Sequence, residues 1–121
     1  MNQLLLLTLG IGFCGCGARS TAEWIDQLHA KDSAERLHAV QALARRPGEA
    51  AVVVPALAEA LTDEDTFVRR DAAKALGAFG PAAKPALPAL LVSLRDKHAA
   101  VRKAVADALR KIDAEAAARG S

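Results

Sequence analysis

Three histidines, His29, His38 and His98, are the side chains best suited to hold a metal or move a proton near neutral pH. None lies in an H-x-x-x-H pattern, none is followed by glutamate, and each is followed by alanine. No Ser/His/Asp order and no glycine-rich loop after a strand accompanies them. The sequence therefore predicts surface histidines and a protein that is not an enzyme, with no metal, no cofactor and no small-molecule substrate.

Two cysteines, Cys14 and Cys16, follow an apolar run from Leu4 to Phe13. A run of about ten residues is too short to cross a bilayer core as a helix, which needs about 20. It has the length of the apolar region of a secretory signal. The segment resembles a bacterial lipoprotein signal, in which a small residue precedes the cysteine that becomes lipidated. Gly15 and Cys16 take these two places.

This resemblance implies a signal peptide over residues 1–16 with a lipobox-like end, cleavage before Cys16, a lipidated Cys16 and a short tether over residues 17–20. The protein would then be a membrane-anchored lipoprotein of the cell envelope. Two alternatives stay open: secretion or periplasmic release with cleavage after Ala18, and an uncleaved start. Under either cleavage no disulfide can form within the domain, which must be stable by packing alone.

Basic side chains follow the exposed face of two predicted helices, and we consider them candidates for partner binding. They include Arg70 and Lys103, which lie 33 positions apart, together with Lys74. Asp71 and Asp107 interrupt the pattern, so the face is either simply solvated or binds an acidic partner. The net charge of +2 is too small to indicate nucleic acid. Aromatic residues do not alternate with the basic ones, as binding of single strands requires.

An internal repeat is expected to position these side chains. A shift of 33 residues places Pro55, Leu61, Val68 and Leu76 on identical residues, without a gap. A weaker copy precedes them. Such a period, with apolar residues at helical spacing, predicts an all-α, right-handed helical solenoid of three two-helix repeats. The repeats are expected over about residues 22–54, 55–87 and 88–120, within a domain over residues 21–121.

Each repeat is predicted to contain a first helix, A, and a second helix, B. Pro55 and Pro88 are expected in the first turn of their A helices, where a missing N–H costs little. The predicted A helices cover about residues 21–30, 53–61 and from 86 onward; the predicted B helices cover about 33–46, 66–79 and 99–116.

The repeated residues resemble HEAT repeats, in particular the short kind found in bacterial proteins and phycobilisome lyases. The motifs that carry the resemblance are Pro-Ala-Leu-x-x-x-Leu in helix A, an aspartate in the turn, Val-Arg at the start of helix B and Ala-x-x-Ala-Leu near its end. The resemblance implies a hydrogen-bonded ladder along the stack, formed by Arg36, Asp63, Arg69, Asp96 and Arg102. Repeat one has Ala30 at the turn position, and Asp32 is a candidate substitute. Binding of an anionic ligand by Arg69 and Arg102 is the alternative.

Trp24 falls at the position of two leucines in the later A helices, which favours a place in the core. It lies in the outermost repeat, so contact with a partner or a membrane interface is the alternative. Together these features predict a scaffold for protein–protein interaction, with an unidentified protein partner, a membrane reached through a lipid anchor and no nucleic acid. An accessory or lyase-like protein that binds a chromophore or cofactor is the second hypothesis.

Overall fold

The computed structural model describes residues 18–114, which contain helices and turns but no strand. Within this part of the chain six α-helices follow one another: α1 (Thr21–Gln27), α2 (Ser33–Leu43), α3 (Ala50–Ala60), α4 (Thr66–Phe79), α5 (Leu87–Ser93) and α6 (Ala99–Ile112). Two 3-10 helices, Pro47–Glu49 and Gly80–Ala86, join successive repeats. Helices α1, α3 and α5 are the A helices, and α2, α4 and α6 are the B helices. The all-α solenoid of three two-helix repeats is confirmed.

Aspartate side chains start the first two B helices. Asp32 accepts a hydrogen bond from the backbone N–H of Ala34, and Asp65 accepts from those of Phe67 and Val68. An N-cap carboxylate of this kind satisfies N–H groups that have no partner within the helix. His98 takes the equivalent place in the third repeat and makes no side-chain cap.

An aliphatic core holds the stack together. Leu43, Leu76 and Leu109 occupy one position in the three B helices, and Leu57 and Leu90 occupy one position in two A helices; all five are almost completely buried. Successive B helices pack closely, whereas successive A helices touch only sparsely. The B helices are therefore the more tightly packed row of the stack.

Two glycines shape the B helix of the second repeat. A β-carbon at Gly77 would lie 3.0 Å from the Cα of Ala108, so α4 and α6 can approach this closely only without a side chain there. Gly80 ends α4 with φ +62, a conformation that glycine adopts without steric cost.

The structure corrects the expected place of Pro55. Helix α3 begins at Ala50, so Pro55 is its sixth residue and not part of its first turn. Pro55 has no N–H for the carbonyl of Ala51, but both residues are exposed and water can reach that carbonyl. Pro88 is the second residue of α5, within the first turn as expected.

Three helix ends also differ from expectation. Helix α2 ends at Leu43 and not near Arg46, because the backbone N–H groups of Arg45 and Arg46 bond to carbonyls three residues earlier. Helix α1 ends at Gln27, and the backbone N–H groups of Leu28, His29 and Ala30 bond to carbonyls three residues earlier, which tightens the end of the helix into a turn. Helix α6 ends at Ile112 and not near Ala116, because Asp113 is extended, with φ −162 and ψ 107. Ala116 lies outside the described residues.

The stretch Thr66–Ser93 is, within the described part of the chain, long and apolar enough to cross a membrane by length and composition. The structure divides it into α4, a 3-10 helix and α5. Leu76 and Leu90 within it are fully buried in the solenoid. One third (33%) of its most apolar 18-residue window is buried inside the solenoid.

Candidate interaction surface

An arginine of the first B helix links the first two repeats. Arg36 donates from Nε and Nη2 to the carboxylate of Asp63, at 2.9 and 3.1 Å. Its Nη1 donates to the backbone carbonyls of Ala30 and Lys31, at 2.8 and 3.0 Å. Arg36 is 7% exposed, so the pair is largely removed from water. In repeat one a backbone carbonyl at Ala30 therefore satisfies the arginine, and Asp32 serves as a helix cap.

The same arrangement recurs one repeat later. Arg69 donates from Nε and Nη2 to Asp96, at 2.7 and 3.3 Å, and from Nη1 to the carbonyls of Asp63 and Glu64. Each arginine thus holds the turn of its own repeat and the aspartate of the next. The Nδ1 atom of His98 lies 3.2 Å from Nη2 of Arg69.

Arg102 occupies the same position in the third repeat, and no aspartate side chain within residues 18–114 bonds to it. Its Nη1 donates to the carbonyl of Asp96 at 2.7 Å, and its side chain is exposed. Glutamate side chains of residues 18–114 do not pair with it either. The donors of Arg69 are already occupied by protein acceptors.

The paired charges shift two pKa values. Hydrogen bonding to Asp63 raises the pKa of Arg36, against the opposite effect of burial. Burial by itself would raise the pKa of Asp96. Hydrogen bonds from Arg69 and from the backbone N–H of His98, together with their positive charges, outweigh burial and lower the pKa of Asp96 below its usual value.

The structure separates the predicted partner-binding cations into paired and unpaired ones. Arg70 lies 2.9 Å from Asp71, and its guanidinium sits 5.1 Å from the centroid of the Phe67 ring. Lys103 pairs with Asp107 at 3.3 Å, and Arg110 donates to the same carboxylate. Lys74 makes no ion pair within the described residues and is exposed.

The sequence pattern also places Lys111 on the exposed face of the third B helix, whereas sequence reasoning missed Arg45. The two residues occupy one repeat position, 66 residues apart, which is twice the repeat length. Both are exposed, and neither forms an ion pair within residues 18–114. Arg45 and Lys74 line one groove of about 290 Å³ between α2 and α4.

Lys111 continues this line across the third B helix. Its Cδ lies 3.5 Å from the place that a β-carbon of Gly77 would take, so its stem crosses from α6 towards α4. We call Arg45, Lys74 and Lys111 the cation row. Small side chains lie between its members, among them Ala44, Ala75 and Ala78, and leave the row accessible.

Trp24 is 8% exposed and packs at the outer end of the first repeat. The ring of His38 meets it edge-on at 5.0 Å between centroids, and the guanidinium of Arg19 lies 5.0 Å from its centroid. Arg19 also donates to Gln27. Beside the indole lies a cavity of about 530 Å³, lined by Trp24, His38, Gln41, Ala42, Arg45 and Arg46. We call it the Trp24 pocket.

The remaining candidates are three histidines and one cysteine. His29, His38 and His98 are all exposed. Among the described residues, no group of three or more His, Cys, Asp or Glu side chains could hold a metal ion. The predicted lipidation at Cys16 lies outside the described residues.

Comparisons with known families agree with the repeat geometry. A family model for HEAT repeats matches residues 21–91, and a model for a single HEAT repeat matches residues 86–113. A comparison with curated proteins gives no significant match. The two matched ranges together extend from the first residue of α1 to one residue past the end of α6.

Proposed function

Because the chain belongs to the HEAT-repeat family, whose members commonly mediate protein–protein interaction, we propose that it is a non-enzymatic scaffold that binds an acidic segment of a partner protein. The observation that carries this proposal is the cation row. Arg45, Lys74 and Lys111 lack carboxylate partners within residues 18–114, whereas the neighbouring Arg70 and Lys103 are paired.

Unpaired cations on a preformed face suit this task. They attract a partner of opposite charge during encounter and need not break an internal ion pair to bind it. The buried pairs Arg36–Asp63 and Arg69–Asp96 join successive repeats and keep the spacing of the B helices constant. The face is therefore organised before binding, which reduces the entropy lost on association.

We further propose that the scaffold is attached to a membrane outside the cytoplasm through lipidated Cys16. The support is the apolar run from Leu4 to Phe13 and the Gly15-Cys16 pair. Residues 17–20 would then span at most about 3.3–3.6 Å each, which places the first repeat near the bilayer surface. Several acyl chains, as the lipoprotein resemblance implies, would give firm attachment.

Crosslinking in cells followed by capture of full-length protein tests the scaffold proposal. The informative variant carries Lys74→Glu and Lys111→Glu. The matched control carries Lys84→Glu and Lys97→Glu and changes the net charge by the same amount. Both lysines are exposed and lie outside the cation row, Lys84 in the 3-10 helix Gly80–Ala86 and Lys97 in the turn before α6. We expect a discrete partner with wild type and control and its loss with the row variant. Equal recovery with both variants would contradict the role of the row.

A further inference from the structure

The Trp24 pocket has a counterpart inside the stack. Four of its residues lie on one face of the first B helix and its C-terminal turn: His38, Gln41, Ala42 and Arg45. A shift of 33 residues converts them into Asp71, Lys74, Ala75 and Ala78. These four line the groove in which α4 faces α2. The Trp24 pocket therefore occupies the place where a preceding B helix would pack if the array had one more repeat.

Charge distinguishes the pocket from its internal counterpart. Its ionisable lining residues, His38, Arg45 and Arg46, are all bases. Arg46 is engaged, since it donates to the hydroxyl of Thr21 and to the carbonyl of Arg19. Arg45 has no partner within residues 18–114. A helix that packs here would complement the pocket best if it carried carboxylates beside its apolar stripe.

We propose that the Trp24 pocket docks an acidic amphipathic helix of the partner protein. Apolar side chains of that helix contact Trp24 and Ala42, and its carboxylates meet Arg45 and His38, in the manner of a helix laid in a groove. The inference rests on the proposed scaffold function and names the form of partner it takes. Because Arg45 lines both the pocket and the groove that contains Lys74, one partner can bind both surfaces.

A second copy of this chain is a poor occupant. In a head-to-tail stack, α6 of the second copy would pack against α2 of the first copy, as α2 packs against α4 within one chain. Arg110 and Lys111 would then take the places that Ala44 and Arg45 have in the contact between α2 and α4. Lys111 would then face Arg45 of the first repeat, and the large side chain of Arg110, which is paired with Asp107, would stand where Ala44 and Gly77 allow close packing. Like charges at an interface oppose association.

Binding of designed helical peptides to full-length protein tests this inference. The probe is an alanine-rich helix with leucines along one stripe and glutamates beside it; the control peptide has lysines in place of the glutamates. Trp24 is the chain's single tryptophan, so its emission reports occupancy directly. We expect saturable binding of the glutamate peptide with a change in emission, and about tenfold weaker binding or none for the lysine peptide.

Variants of the protein locate the binding. Ala42→Glu fills the pocket with a side chain of the same charge as the glutamate peptide and should weaken binding about tenfold or more. Arg45→Gln should weaken binding about threefold to tenfold. Lys97→Gln, on an exposed turn, should leave the affinity unchanged. Circular dichroism and the thermal midpoint of each variant show whether its fold is retained.

Other outcomes would overturn the inference while leaving the scaffold proposal to its own crosslinking test. One is binding of the glutamate peptide without a change in Trp24 emission; another is unchanged affinity in Ala42→Glu. Wild-type self-association in sedimentation velocity, abolished by Ala42→Glu, would also overturn it by showing that a second copy fills the pocket. If crosslinking also finds no partner that depends on Lys74 and Lys111, the scaffold proposal fails as well.

Discussion

Arg69 and Asp96 lie 27 positions apart and meet between the second and third repeats, with Nε of Arg69 2.7 Å from Oδ2 of Asp96. Arg36 and Asp63 meet in the same way one repeat earlier, also 27 positions apart. The offset of 27 is six residues less than the repeat length of 33, so the arginine of each of these B helices meets the aspartate in the turn between the A and B helices of the next repeat. The pairs thus fix how one repeat sits on the next, which is the geometry that sets the cation row.

Loss of Arg69 should destabilise the fold far more than loss of Arg102. Arg69→Ala leaves the carboxylate of Asp96 buried without its partner, and breaking a buried pair in this way costs about 3–5 kcal/mol. Arg102→Ala removes one hydrogen bond at an exposed site, so we expect a loss of about 0.5 kcal/mol or less. Urea unfolding gives both values, with Arg69→Lys as a milder variant. Equal losses at the two sites would contradict the ladder.

Acid should weaken the same link. The pKa of Asp96 is lower in the folded protein than its usual value. The stabilisation of the fold by the Asp96 carboxylate is therefore complete above the unfolded pKa of about 3.9 and is lost as the pH falls through the folded pKa. We expect the stability difference between wild type and Asp96→Asn to be constant near neutral pH and to narrow below about pH 4.

Urea unfolding at several pH values measures this difference. Asp26→Asn is the matched control, because Asp26 is exposed and forms no ion pair within the described residues; this variant should follow the wild type throughout. A difference for Asp96→Asn that stays constant down to pH 3 would show that the charge of Asp96 does not stabilise the fold.

Sequence periodicity was sufficient to predict helix α4, but local signals could not give every helix start. Asp65 caps α4 and Gly80 ends it, so its predicted and observed ends agree. The start of α3 could not be read in the same way. Pro55 resembles a first-turn proline, and only the exposure of Ala51 and Pro55 in the folded chain explains how an interior proline is tolerated.

The candidate surface was harder to predict than the helices. Basic residues on the B helices were recognisable from spacing, but their availability depends on which of them a carboxylate reaches. Arg70 is held by its sequence neighbour Asp71, and Asp107 takes both Lys103 and Arg110. Which cation a given carboxylate reaches depends on side-chain geometry, and an alignment of the repeats does not reveal it.

Gly77 should resist substitution even by alanine. Alanine favours a helix over glycine by about 1 kcal/mol, but its β-carbon would lie 3.0 Å from the backbone of Ala108, and α4 and α6 would have to separate. Overpacking of this kind costs about 1–3 kcal/mol, so we expect a net loss of about 1 kcal/mol, and more for Gly77→Leu. Thermal unfolding followed by circular dichroism measures both.

Gly48→Ala provides the control for that measurement. No atom lies within 4 Å of the added β-carbon, and the backbone there does not have positive φ. Its stability should stay the same or rise by up to about 1 kcal/mol, through loss of freedom in the unfolded chain. A rise of similar size in Gly77→Ala would show that the close approach of the two B helices imposes no constraint.

Removal of Cys16 should release the protein from the membrane. In the lipoprotein signals that this segment resembles, the cysteine after the cleavage site carries the acyl chains, so Cys16→Ser should leave an uncleaved or differently cleaved chain without stable lipid attachment. Cys14→Ser is the matched control, because Cys14 would be removed with the signal. Fractionation and labelling with a radioactive fatty acid should find wild type and Cys14→Ser labelled in membranes, and Cys16→Ser unlabelled. A wild-type protein that is unlabelled and soluble would refute the anchor, and the interaction surface would then have to act without a membrane beside it.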